Sequence, residues 1–214
     1  MQEDWHSHTF DLSGGALCLD FANTWSDRDR PETDHLRAYA DLLAFARQTG
    51  LLSGAEASRL AGRAEEEPQA AAAALALGRG LREDLYRIFS AAAASSAPAE
   101  EDLERLNEAL PRAFSRLRLQ CRGDELVWTW AAPEDLLETP LWPVLRSAAE
   151  LLTSEERKLV RECAGTSCTW LFLDHSRNRS RRWCSMETCG NRAKAQRHYR
   201  RRSEMGNGDG EPPA

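Results

Sequence analysis

Four cysteines near the C-terminus carry the clearest chemistry in this chain: Cys163-x4-Cys168-x15-Cys184-x4-Cys189. Two short Cys-to-Cys turns joined by a hairpin can bring four thiolates around one metal ion, and zinc prefers soft ligands in that tetrahedral arrangement. Four protein ligands fill its shell and leave no position for water or substrate, so the site is expected to be structural rather than catalytic. Two disulfides, an iron–sulfur cluster or a zinc-bound thiol switch are the alternatives that the same four residues leave open. Cys18 and Cys121 stand apart in apolar or strand-like contexts and read as buried core thiols.

Charge gathers around the same segment. Between Arg177 and Arg202 there are ten basic residues against Glu187 alone, a charge of +9, which leaves −15 on the rest of a chain whose total is −6. A basic end on an acidic body suits a polyanion, most often nucleic acid. Arg177, Arg179, Arg181 and Arg182 lie between the cysteine pairs. Lys194, Arg197 and Arg201 share one face of a helix expected to start near Cys189, and His198 extends it. These side chains can track phosphates, while Asn191 and Arg192 at the helix start are candidates to reach base edges. Asn191 reads equally well as a local turn contact, and Trp170 and Trp183 read as core.

The elements that position these groups follow from patterning. The Gly14-Gly15 pair and the apolar run to Phe21 predict a turn into a short strand. Helices are expected from His35 to Thr49 with Asp34 as cap, from Ser53 to before Pro68, from Gln69 to Ala94 with a bend at Gly78 or Gly80, and from Glu100 to Leu110. Leu117–Leu119 and Leu126–Trp130 around Arg122-Gly123-Asp124 predict a β-hairpin, followed by a helix from Leu141 to Leu152. In the cysteine segment, Trp170–Leu173 is expected to pair with Arg181–Trp183. The fold class is α+β: a mostly helical N-terminal domain with a short hairpin over 1–155, then a four-cysteine module of hairpin plus helix over 156–203. Residues 204–214 read as a disordered tail.

The string Ser180-Arg-Arg-Trp-Cys-Ser-Met-Glu-Thr-Cys-Gly-Asn-Arg192-Ala-Lys194, preceded by Trp170-Leu-Phe-Leu-Asp174, resembles the CGNR zinc finger family, whose name matches Cys189 to Arg192. Leu17-Cys-Leu-Asp-Phe-Ala-Asn-Thr24 is similar to the opening of the ABATE domain that accompanies it. The resemblance implies a bacterial transcription regulator of the stress response with one structural Zn2+, binding DNA through its basic residues.

Other classes find less support. No apolar run approaches the roughly 20 residues of a membrane span, and the acidic Met1–His6 start lacks a secretory signal, which places the chain in the cytoplasm. No phosphate-binding glycine loop, Gly-x-Ser-x-Gly or His-Glu-x-x-His is present, so no enzyme is expected. Asp20, Asn23 and Asp27 with His6 and His8 can line a pocket, although bracing a strand end suits Asp20 and Asn23 better. The expected function is a DNA-binding regulator whose body senses a small-molecule effector or forms a homodimer. An RNA- or protein-interaction module and a zinc-thiolate redox sensor are the alternatives.

Overall fold

The computed structural model describes residues 9–131 and 136–206; on the last helix the side chains of 198 and of 200 onward lie outside the described set. The expectations for His6, His8 and the tail from 207 therefore fall outside the described residues, as do those for the side chains of His198 and Arg201. Among the described residues no helix is long and apolar enough to cross a membrane.

Helices dominate the body: α1 (Leu17–Ala22), α2 (Tyr39–Gln48), α3 (Gly54–Glu66), α4 (Pro68–Ala93), α5 (Glu100–Phe114) and α6 (Trp142–Thr153). A hairpin of β1 (Leu117–Arg122) and β2 (Glu125–Trp130) joins α5 to α6, as the alternating pattern predicts, with Gly123 at φ +69° in its two-residue turn. Two three-residue strands, β3 (Val160–Glu162) and β4 (Leu171–Leu173), pair antiparallel and lead through the second cysteine pair into α7 (Asn191–Gly206).

Sequence patterning is right about most of these elements and wrong at instructive places. The run after Gly15 forms α1, not a strand. Cys18, Leu19, Phe21 and Ala22 are all buried, and so short a run, interrupted only by the half-buried Asp20, shows no period that separates strand from helix. α1 lies against α4 and α6 at the centre of the core, where Phe21 meets Phe45 edge-on at 5.4 Å. The second helix begins at Tyr39 rather than His35. Its cap is Asp41, whose carboxylate accepts the Arg37 and Ala38 N–H groups at 2.7 Å each. Asp34 is occupied elsewhere, accepting two bonds from the buried Arg82 guanidinium at 2.6 and 2.9 Å. Ser53 caps α3 as expected, and Glu56 completes a capping box with it. α4 runs unbroken through Gly78 and Gly80. At Gly78 a Cβ would lie 3.2 Å from a Leu141 methyl, so this glycine lets the chain leading into α6 approach closely.

Among the described residues the strand expected at Arg181–Trp183 is absent; β4 pairs with β3 instead, and a bond from Ala164 N–H to the Arg182 carbonyl at 2.8 Å links that stretch to the first cysteine loop. Asp174 explains the change, because its carboxylate accepts the N–H groups of Ser176 and Arg181 and curls the chain away from strand geometry. Cys121 is exposed rather than buried, since most of the β1–β2 hairpin stands clear of the body. Cys18 is fully buried, as expected, and burial pushes its thiol up to about 12.

One half-buried group gives the body a pH dependence. Asp20 accepts the Gly14 N–H at 2.8 Å, and burial pushes its carboxyl up to about 6. The folded chain therefore holds this proton more tightly than the unfolded chain, and the stabilisation is lost as pH rises through about 6. Asp20→Asn keeps an acceptor for Gly14 without the charge. Its melting temperature is expected to exceed the parent's at pH 8, with the gain shrinking towards pH 4; an unchanged or lower value at pH 8 would contradict the desolvation argument.

Candidate metal centre and basic surface

β3 and β4 carry the first cysteine pair out from the body. Val160, Leu171 and Leu173 belong to the main core, whereas Phe172, on the opposite face of β4, packs with the cysteines, Trp170 and Trp183. Alternation along one three-residue strand thus serves two cores at once.

The four sulfurs of Cys163, Cys168, Cys184 and Cys189 all lie within 4.8 Å of one another. Cys184 Sγ is 3.8 Å from Cys168 Sγ and 3.7 Å from Cys189 Sγ. A tetrahedron with zinc–sulfur bonds of about 2.3 Å has edges of about 3.8 Å, so the donor set fits one structural zinc ion. Cys163, Cys184 and Cys189 are buried and Cys168 is half-buried. The Cys184 N–H points at Cys163 Sγ from 3.4 Å, as expected for a turn that stabilises thiolate charge. Hydrogen bonds from Cys168 and Cys184 hold the Cys163 thiol well below its usual range, and the same bonds push Cys168 and Cys184 up. Sulfurs so arranged share negative charge poorly among themselves, and a divalent cation relieves the conflict.

Two residues that sequence reasoning passed over complete the centre. At Gly165 a Cβ would lie 3.4 Å from Cys189 Sγ and 3.5 Å from Cys163 Sγ, so a side chain there would crowd the metal. A glycine two places after the first cysteine is the signal that marks it. Ser167 Oγ accepts from Arg192 Nη1 at 3.3 Å and ties the first cysteine loop to α7.

The basic residues divide. Arg181 turns inward: its guanidinium lies over the Phe172 ring at 4.3 Å and donates to the carbonyls of Trp183 and Cys184. Arg192 makes the Ser167 bridge, and Asn191 Nδ2 donates to the Glu187 carbonyl at 3.1 Å, the local contact foreseen as its other reading. Gly190 lies under the Met186 side chain. The residues from Cys189 to Arg192 thus serve in turn as metal ligand, point of close approach, turn brace and bridge, with Asn191 and Arg192 still exposed to solvent. Arg177, Arg179, Arg182, Lys194 and Arg197 are exposed, as Arg192 also is beside its Ser167 bridge, with Arg182 beside the Trp183 ring and Arg197 Nε 3.4 Å from the Ala193 carbonyl. Beside the metal site, a cleft of about 240 Å³ is bordered by Cys168, Arg30 and Arg192, with Asp11 and Asp27 also lining it.

The finger is fastened to the body by buried polar contacts. Asn23, 2% exposed, donates from Nδ2 to the Leu171 carbonyl and accepts the Leu171 N–H at Oδ1, both at 2.8 Å. Its amide thus supplies a missing strand partner for β4, rather than bracing the N-terminal strand that the sequence suggested and that is α1 in the structure. Leu173 N–H donates to the Gly14 carbonyl at 2.8 Å. Glu162 on β3 accepts from Tyr86 Oη at 2.9 Å and Ser90 Oγ at 2.6 Å, both on α4. Arg28 stacks on Tyr86 at 3.5 Å, pairs with Glu83 at 2.9 Å and donates to Thr169 Oγ1 at 2.9 Å.

Family comparison agrees with this division into body and finger. The ABATE family model, described as "Putative stress-induced transcription regulator", matches residues 15–155, and the CGNR zinc finger model matches residues 160–202. Among curated proteins nothing matches the chain. The body helices, the four-cysteine centre and both matches together show that the chain belongs to the ABATE family and carries a CGNR zinc finger.

Proposed function

We propose that this protein is a non-catalytic transcription regulator of the stress response, working in the cytoplasm and binding duplex DNA through its zinc finger. The observation that carries the reading is the exposed set Arg177, Arg179, Arg182, Lys194 and Arg197, mounted on a frame that one metal ion closes. Long basic side chains on a rigid support meet phosphates with less loss of freedom than the same residues on a loose tail. The acidic remainder of the chain repels a polyanion and orients the basic end towards it. The family's regulator description supports the same reading.

Fluorescence anisotropy with zinc-loaded protein and labelled genomic fragments tests it. Affinity should fall steeply with salt as counterions are released. Lys194→Ala combined with Arg197→Ala should reduce the log–log salt slope by about two, the effect of two lost phosphate contacts, with zinc content unchanged. Competition with single-stranded RNA separates the alternative partner: RNA displacing duplex DNA at equal concentration would favour RNA. Absence of binding at low salt with zinc fully loaded would remove the proposal.

A further inference from the structure

Where the body meets the finger, a groove of about 740 Å³ lies between the C-terminal end of α4, the loop leading to α5, the end of α6 and the stretch entering β3. Its floor is apolar, formed by Ile88, Leu103 and Leu152 among others. Arg157, Lys158 and Arg161 stand along one wall, and no carboxylate lines the groove among the described residues. This contrasts with the rest of a body that is strongly acidic. Arg157 and Lys158 are exposed; Lys158 shares an open ion pair with Glu155 at 2.6 Å, and Arg157 adds its field to the same carboxylate without a direct contact among the described residues. Arg161 donates one Nη1 to the carbonyls of Lys158 and Val160 and so is held at the wall. Ser95 and Ser96 add hydroxyls, on a turn fixed by Ser95 at φ 56° and by the Ser96 N–H bond to the Ala91 carbonyl at 2.9 Å.

We propose that this groove binds an amphipathic carboxylate or sulfonate, whose apolar chain or ring system covers the floor while its anionic head meets Arg157 and Lys158. A volume of about 740 Å³ is in the range of small-molecule sites, which pair mostly apolar walls with a few polar groups that orient the ligand. Both halves of the groove have a use only for such a ligand. Inorganic phosphate does not need the floor, and an apolar cation or neutral lipid does not need the wall. The site does not depend on the DNA-binding reading, since none of the arginines invoked there lines it. Its position gives the ligand a lever, because Arg161 is followed directly by Glu162, which grips Tyr86 and Ser90 on α4.

The test uses the full-length, zinc-loaded protein and 8-anilinonaphthalene-1-sulfonate as the fluorescent probe. The probe should bind saturably at one site and be displaced by decanoate, but by neither decyltrimethylammonium nor inorganic phosphate at the same concentration. Arg157→Glu combined with Lys158→Glu should weaken binding by about tenfold or more, because two charge-assisted contacts become repulsive. Both residues are exposed, so the melting curve should remain close to the parent's. Unchanged affinity in the double variant, or equal displacement by the cation, would overturn the proposal. Displacement by phosphate as effective as that by decanoate would also overturn it, by showing a site for charge alone.

Discussion

Cys184→Ala is expected to abolish zinc binding and unfold the chain beyond Asp174 while leaving the body helices in place. Structural zinc contributes about 10–16 kcal/mol of binding free energy in small four-ligand modules, which is folding free energy wherever no other core exists. Here the other core is small: Phe172 is the one fully buried aromatic packed with the cysteines, and Trp170 and Trp183 are half-buried. β3 and β4 should survive metal loss, because Val160, Leu171 and Leu173 are anchored in the body's core. The result should therefore be partial. Metal analysis should show zinc far below one per chain, and far-ultraviolet dichroism should retain most of its helical signal. Trypsin should cut rapidly at Arg177, Arg179 and Arg182, and much more slowly there in the loaded protein. Cys121→Ser, an exposed thiol far along the sequence from the centre, is the control and should keep its zinc. Stoichiometric zinc in Cys184→Ala would refute the ligand assignment, and complete unfolding would refute the claim that the body holds the ribbon.

Asn23→Leu should be the most damaging single change outside the metal centre. The amide satisfies both backbone groups of Leu171, in a place 2% exposed to solvent. Leucine has a roughly similar shape but leaves a buried N–H and a buried C=O without partners, at about 1–3 kcal/mol each. The expected cost is thus about 2–6 kcal/mol, read from urea denaturation, with faster amide exchange across Leu171–Leu173 than across α4. A loss below about 1 kcal/mol would mean that water or a shifted strand replaces the amide.

Some of this could be read before any coordinates. A capping box, an alternating hairpin and paired cysteine turns are local signals, each contained within a few residues or a single loop. For that reason Ser53, β1–β2 and the four ligands were legible. The misread elements fail for non-local reasons. Asp34 looks like a cap, but it accepts the Leu36 N–H and the buried Arg82 guanidinium arriving from α4, while the helix starts only at Tyr39. The α1 segment is six residues long with four of them buried, too short and too apolar for a period to betray its helix. Arg181 to Trp183 has the residues of a strand, but Asp174 binds its first N–H and β3 takes the pairing.

The basic segment shows the same division most clearly. Its charge, and its place beside a closed set of four thiolates, belong to the sequence alone: ligand spacing within short loops fixes where the metal can be, and no packing is needed to count arginines. Which arginines face outward is a tertiary matter. Arg181 is drawn over Phe172, while Arg192 stays exposed although it also reaches Ser167, 25 positions earlier. The joint to the body is likewise invisible in the sequence, because Asn23 and Leu171 stand 148 positions apart. A hydrogen bond between distant residues leaves no periodic mark on either, and only the folded chain brings donor and acceptor within reach.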